Sequence, residues 1–152
     1  MDESITSRAS PRSLHSRIGT PVRFINRSRS RVKVLWLNYQ GEQVLYSTLE
    51  PLNGRYDVNT YVTHPWIARE EPTNAVMLLN FRKIYFPAAP EVRRIENENR
   101  NVHVTSEVVI TPNVPYTLQE CCKDRLKKIV LPQNISQLPL PQTIIRQIAQ
   151  SV

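Results

Sequence analysis

The chain has 152 residues, enough for one domain or for one domain with a small appendage. Its hydrophobic fraction of 40% is ordinary for a protein that buries a core. No stretch approaches the roughly 18 uninterrupted apolar residues that span a bilayer, and the N-terminal residues lack the apolar run of a secretory signal. We therefore expect a protein of the cytoplasm and nucleus without a membrane segment.

Cysteine and histidine are too sparse to predict a disulfide framework or a metal site. The two cysteines, Cys121 and Cys122, are adjacent in sequence, and cysteines so placed rarely pair with each other. The three histidines, His15, His64 and His103, are far apart in sequence and lack the spacing of metal ligands. We expect no metal and no cofactor.

The net charge of +7 is concentrated near the N-terminus. Residues 1–33 carry eight Arg and Lys against two acids, whereas residues 34–116 carry seven against nine. Residues 1–20 are rich in Ser and Arg and predict a flexible basic arm. Such an arm is either a solvated surface or a contact for an acidic partner or nucleic acid. No aromatic residue interleaves the early arginines, as single-strand binding would favour.

From residue 21 the pattern changes to short runs of alternating apolar residues. In the run 32–38, alternation places Val34 and Trp36 on one face and Leu35 and Leu37 on the other. Gly41 lies in a predicted hairpin turn, where it can take a positive φ. Residues 88–101 are polar and predict a loop. The predicted strands cover 21–26, 32–38, 43–49, 55–61, 65–69, 75–80, 83–86 and 102–110. Seven or so short strands at this spacing predict a mainly β fold, a seven-stranded β-sandwich over residues 21–115.

A helical pattern follows, so the sandwich is predicted to carry a small α-helical domain at residues 116–152. Thr117 and Glu120 have the spacing of a capping box at the start of a helix over about 118–131. Pro132 ends that helix, and a second short helix is predicted around Ile144, Ile145 and Ile148. A piece of about 35 residues is short for a core of its own. Its apolar stripe, Leu118, Cys122, Leu126 and Ile129, is therefore expected to cover the sandwich, the second helix or another protein.

Two groups of residues resemble the von Hippel–Lindau tumour-suppressor family. The first comprises NRS at 26–28, WLN-Y-x-GE at 36–42, Y-x-T-L at 46–49 and TY-x-x-H-x-W at 60–66. The second is T-L-x-x-x-C-x-x-x-L at 117–126, which is similar to the box with which that family binds elongin C. The resemblance covers about residues 15–150. It implies a β-sandwich followed by a small helical domain, in agreement with the pattern above.

The resemblance implies a non-catalytic substrate receptor of a cullin–RING ubiquitin ligase, which binds a hydroxyproline on hypoxia-inducible factor α. Trp66 would form the floor of the site, with Trp36 and Tyr46 as its walls. Thr60 and His64 would hold the hydroxyl of the substrate, with Asn59 and Tyr61 lining the groove. The family usually has a serine at the position of Thr60 and a histidine at that of Asn59. The residues assigned to the peptide site are Trp36, Tyr46, Asn59, Thr60, Tyr61, His64 and Trp66.

The same resemblance implies elongin C, with elongin B, as a partner of the first helix. The residues assigned to elongin C are Thr117, Leu118, Cys122 and Leu126. Cys121 and Lys123 replace an arginine and a leucine that are usual in the family. The LPLP segment resembles a motif that selects cullin-5, whereas the family normally engages cullin-2 and its RING subunit, so cullin-2 is favoured and cullin-5 stays open. The candidate cullin contacts are Leu138, Pro139, Leu140, Pro141 and Ile144.

Two other functions remain as alternatives. A β-sandwich with a basic arm that binds nucleic acid would show a steep dependence of affinity on salt. An enzyme that uses His64 with Thr60 would need a carboxylate to orient the imidazole, and none is nearby in sequence. We predict no catalytic residue.

Overall fold

The computed structural model describes residues 9–150. These residues form two compact units, of which the first ends at Asn113 and the second begins at Val114. No helix among the described residues is long and apolar enough to cross a membrane.

Nine strands make up the first unit: β1 (Gly19–Asn26), β2 (Val32–Leu37), β3 (Gln43–Leu49), β4 (Arg55–Tyr61), β5 (Trp66–Glu70), β6 (Val76–Leu79), β7 (Val92–Ile95), β8 (Arg100–His103) and β9 (Ser106–Pro112). Seven of them form one sheet in the order β3-β2-β5-β6-β9-β1-β4. Only β1 and β9 run parallel. The two edge strands, β3 and β4, approach each other, so the sheet is nearly closed. The predicted mainly β fold with a helical segment after it is confirmed.

The inner face of this curled sheet holds the main core. Val34 and Trp36 face inward on β2, whereas Leu35 and Leu37 belong to a separate cluster with Ile67 on the outer face. The predicted alternation along β2 is therefore confirmed. The buried members of the main core are Val22, Phe24, Val32, Val34, Leu49, Trp66, Ala68, Met77, Leu79, Val108 and Ile110.

Two predictions between residues 83 and 110 were wrong. Residues 83–86 form no strand, and Tyr85 makes only an isolated bridge to Trp66. The predicted loop at 88–101 contains β7, the 3-10 turn Glu96–Glu98 and the start of β8. The predicted strand at 102–110 is divided between the end of β8 and most of β9. The β7–β8 hairpin is almost wholly exposed, and a strand that buries neither face shows no alternation of apolar residues.

Asn26 ties the turn after β1 to the end of β3. Its Nδ2 donates to the carbonyl oxygens of Ser30, Leu49 and Glu50 at 2.8, 3.2 and 3.0 Å. Its Oδ1 accepts from the backbone N–H and the hydroxyl of Ser28 at 2.9 and 2.7 Å. Asn26 and Ser28 are buried, so these two residues of the NRS segment stabilise the fold.

The N-terminal segment before β1 is bonded to the sheet. Of the predicted arm, residues 1–8 lie outside the described part of the chain. Ser13 is buried, and its backbone N–H donates to the Asn38 oxygen at 3.1 Å. Strand β1 begins at Gly19. Residues 13–20 are therefore part of the sandwich and not of a free arm.

The second unit contains α1 (Leu118–Ile129), a 3-10 helix (Pro132–Gln137) and α2 (Gln142–Ala149). The predicted capping box is present, since the Thr117 hydroxyl accepts from the Glu120 N–H and the Glu120 carboxylate accepts from the Thr117 N–H. Three buried isoleucines, Ile135, Ile145 and Ile148, form a small core. The expectation that this unit lacks a core was wrong, because the 3-10 helix folds Ile135 against α2.

Candidate functional site

Aromatic side chains from three neighbouring strands, β3, β2 and β5, form a cluster, and the near-closure of the sheet brings the opposite edge strand β4 to it. Trp36 on β2 and Trp66 on β5 are direct cross-strand partners. Tyr46 on edge strand β3 contacts both indoles edge-on, with ring centroids at 6.0 Å from Trp36 and 5.0 Å from Trp66. Thr60 reaches the same place from β4, the opposite edge. The cluster therefore lies where the two sheet edges meet.

A β-bulge directs Tyr46 toward this cluster. Val34 pairs with Ser47 and Leu35 with Leu45, so Tyr46 is the extra residue on β3. Regular alternation would turn Tyr46 to the face opposite Ser47, whereas a bulge can re-aim a side chain. The Tyr46 ring consequently joins the inward-facing indoles and remains 44% exposed.

Thr60 and Trp66 form a buried polar pair within the cluster. The Trp66 Nε1–H donates to Thr60 Oγ1 at 3.0 Å, and the two residues are 3% and 1% exposed. A threonine hydroxyl that accepts one hydrogen bond still has its own proton to donate. Thr60 can therefore donate to a ligand oxygen without losing its bond to the indole.

His64 lies in the turn between β4 and β5 and faces Trp36. Its imidazole stacks on the Trp36 indole, with centroids at 5.1 Å and an interplanar angle of 27°. The Nε2 atom is 3.2 Å from the Ser16 hydroxyl and 3.3 Å from the Tyr39 hydroxyl. Burial lowers the pKa of His64 from its ordinary value of 6.5, so the ring is neutral at physiological pH.

Three residues that support the site were missed by the sequence analysis. Ser13 accepts from Trp36 Nε1–H at 2.8 Å and donates to the Leu37 oxygen at 2.7 Å, which fixes the Trp36 indole. Ser16 and Tyr39 hold the His64 ring. Ser13 and Ser16 lie in the polar segment that was interpreted as an arm, which has no periodic pattern to reveal them. Tyr39 belongs to the WLN-Y-x-GE segment, so the resemblance could have indicated it.

Five of the seven residues assigned to the peptide site form one cluster: Trp36, Tyr46, Thr60, His64 and Trp66. Tyr61 lies beside it, with its ring 5.0 Å from that of His64. Asn59 is exposed and lines a separate small cavity with Pro21 and Asp57, because alternation along β4 turns it away from the side of Thr60. The structure thus does not bring Asn59 into the cluster.

The residues of α1 assigned to elongin C from the sequence differ strongly in burial. Leu118 is 81% exposed and Cys122 is exposed, whereas Leu126 packs partly against the small isoleucine core. In the candidate cullin segment, Pro139 and Pro141 are exposed. Leu138, Leu140 and Ile144 are partly buried against the same core.

The cluster has the chemistry of a recognition site. Its aromatic rings offer an apolar surface, and a buried hydroxyl and a neutral imidazole beside them can hold one polar substituent. The bonding partners of His64 among residues 9–150 are hydroxyls and backbone, not a carboxylate that would orient it as a general base. The same residues contain no group of three or more His, Cys, Asp or Glu that could hold a metal.

Comparison with known protein families agrees with a protein that recognises a ligand and does not catalyse a reaction. A family model described as the VHL beta domain matches residues 11–93, which is more than half of the chain and includes the whole cluster. The chain therefore belongs to the von Hippel–Lindau family, whose members are the substrate-recognition part of a ubiquitin ligase. Members of this family are substrate adaptors rather than catalytic enzymes.

Proposed function

We propose that this chain recognises a hydroxyproline-bearing segment of hypoxia-inducible factor α and bridges it to elongin C in a cullin–RING ligase. The observation that carries the proposal is the convergence of two indoles, a phenol, a hydroxyl and an imidazole at the meeting point of β3 and β4. A hydroxylated proline ring presents the matching chemistry, an apolar ring with one hydroxyl.

In this proposal the pyrrolidine ring lies between the Trp36 and Tyr46 rings. Trp66 is 1% exposed beneath Tyr46, which is 44% exposed. A rotation of the Tyr46 ring at the sheet edge would uncover the indole as the floor of the site. Aromatic rings supply this apolar area at a low cost in side-chain entropy.

Thr60 and His64 distinguish hydroxyproline from proline. The Thr60 hydroxyl donates to the substrate oxygen, and the neutral His64 ring provides the second contact. When plain proline enters, both groups lose water without gaining a partner, at about 1–3 kcal/mol each. Two such penalties correspond to a preference of about thirtyfold or more for the hydroxylated peptide.

Fluorescence polarisation with two peptides that differ only in the hydroxyl tests this proposal. The probes are a labelled peptide with one trans-4-hydroxyproline and its proline twin. A third peptide with cis-4-hydroxyproline is the matched control, because it has the same atoms and points the hydroxyl elsewhere. We expect tight binding of the trans form alone. Equal affinity for the trans form and the proline twin would refute the proposal.

The exposed apolar residues of α1 support the proposed contact with elongin C. Leu118 and Cys122 leave apolar surface uncovered at the start of the helix, and a small cysteine packs as a compact hydrophobe. Leu118→Arg is expected to abolish co-purification with elongin C and elongin B. Val114→Arg is the matched control, because Val114 is 74% exposed and lies outside the box. Loss of elongin C with both variants, or with neither, would contradict the assignment.

The segment from Leu138 to Ile144 is the proposed contact for the cullin. We propose cullin-2 with its RING subunit, following the family, with cullin-5 as the alternative suggested by the LPLP segment. The two exposed prolines, Pro139 and Pro141, are available for this contact. Mass spectrometry of the complex purified with hydroxylated peptide identifies which cullin is bound, and a Pro139→Ala, Pro141→Ala double variant should release it.

A further inference from the structure

A second cavity opens on the outer face of the sheet, on the side opposite Trp36 and Trp66. Its volume is about 330 Å³. Leu37 and Ile67 form a buried floor, and Ile84 packs beside them. Arg69 and Lys83 line the cavity as well, and none of its lining residues within 9–150 is an aspartate or a glutamate.

Positive charge around this cavity is left without compensation. Lys33 and Arg69 are direct cross-strand partners of β2 and β5 and lie on the same face, an arrangement of like charges that is destabilising. Neither Arg69 nor Lys83 forms an ion pair within residues 9–150, whereas the nearby Arg31 is held by two carboxylates. In the described part of the chain, the sheet thus presents these two cations next to an apolar floor without an acid that pairs with either of them.

We propose that this cavity is a second binding site, which takes an acidic peptide segment of a partner protein that inserts an apolar side chain. The volume lies at the lower end of the range for ligand sites and suits one or two apolar side chains. Carboxylates that flank the inserted side chain would pair with Arg69 and Lys83, and charge complementarity of this kind sets specificity. This site lies on the other face of the strands from the hydroxyproline site and does not depend on it.

A designed peptide with this chemistry tests the proposal on the full chain. The probe is fluorescein-labelled Asp-Glu-Leu-Phe-Glu-Asp, and the control peptide replaces its Leu and Phe by Ser. Arg69→Gln and Lys83→Gln are each expected to weaken binding of the probe by about threefold to fivefold, as for a partly exposed ion pair. Lys128→Gln, an exposed cation of α1, is the matched control and should leave the affinity unchanged.

Amide chemical shifts locate the bound probe. The proposal expects the largest shifts at Ile67, Arg69 and Ile84, and weaker binding of the serine peptide. Equal binding of both peptides, an equal effect of all three charge variants, or shifts centred on His64 would each overturn it. The first two results would indicate non-specific attraction to a basic surface, and the third would move the peptide to the aromatic cluster.

Discussion

Replacing Thr60 by valine removes one hydroxyl at nearly constant shape, and it affects both stability and recognition. Trp66 Nε1–H, which donates to Thr60 Oγ1 at 3.0 Å, loses its acceptor inside a site where both residues are buried. A buried donor without a partner costs about 1–3 kcal/mol of the free energy of unfolding. Natural domains have about 5–15 kcal/mol, so the variant is expected to remain folded.

The same substitution removes the proposed hydrogen bond to the hydroxyl of the substrate. This loss of about 1–3 kcal/mol lowers the affinity for a hydroxylated peptide by about fivefold to 150-fold. The affinity of this variant for the proline twin should stay constant or rise, because the valine has no hydroxyl group that would lose water when proline binds. The preference, measured as the ratio of the two dissociation constants by fluorescence polarisation, therefore falls.

Thr60→Ser separates the role of the hydroxyl from that of the methyl. Serine keeps the acceptor for the indole and the donor for the substrate, and deleting one buried methyl costs less than about 1.5 kcal/mol. Thr60→Ser should therefore keep the preference, and urea unfolding followed by circular dichroism should show a smaller loss of stability than for Thr60→Val. If Thr60→Val kept the full preference for the hydroxylated peptide, the role assigned to this hydroxyl would be wrong.

Three further predictions concern stability. Burial lowers the pKa of His64 below its ordinary 6.5, so below about pH 6.5 the unfolded chain binds more protons at His64 than the folded chain does. The contribution of neutral His64 to the free energy of unfolding is therefore complete above about pH 6.5 and declines as the pH falls. In urea unfolding between pH 7 and 5, His64→Gln should make the free energy of unfolding depend less on pH. An unchanged dependence on pH would contradict this role of His64. Thr117→Ala should cost α1 about 1 kcal/mol by loss of its cap, visible as reduced helical ellipticity with unchanged near-ultraviolet signal from the tryptophans. Asn26→Leu removes the Nδ2 hydrogen bonds to three carbonyl oxygens and the acceptor of the buried Ser28 N–H, so it should lower the free energy of unfolding by more than about 1 kcal/mol. Asn53→Leu, at an exposed position, is its control.

The strands of the main sheet could be predicted from sequence because most of them direct alternate residues into the main core. The ranges 43–49 and 55–61 agree with β3 and β4 residue for residue. The exposed β7–β8 hairpin gave no such signal, since its stability does not come from alternating apolar residues. The small core of the second unit was missed because the residue between the two helices that completes it, Ile135, stands alone in a polar 3-10 helix.

The sequence predicted most residues of the aromatic cluster, but not the bulge and the hydrogen bonds that position them. The resemblance named Trp36, Tyr46 and His64, and the structure brings them together. The bulge that turns Tyr46 toward the indoles was not predicted, because the apolar run from Val44 to Tyr46 does not show which residue is the extra one. The hydrogen bonds from Ser13 and Ser16 come from a segment without periodicity, and such contacts depend on how the chain crosses the sheet.

Intermolecular nuclear Overhauser effects from a peptide with ¹³C-labelled trans-4-hydroxyproline test the central claim most directly. The pyrrolidine protons should show contacts to the indole protons of Trp36 and Trp66 and to the ring of Tyr46. The Thr60 methyl should be close to the carbon that bears the hydroxyl. Contacts to residues outside this cluster, or binding with no contact to either indole, would contradict the account.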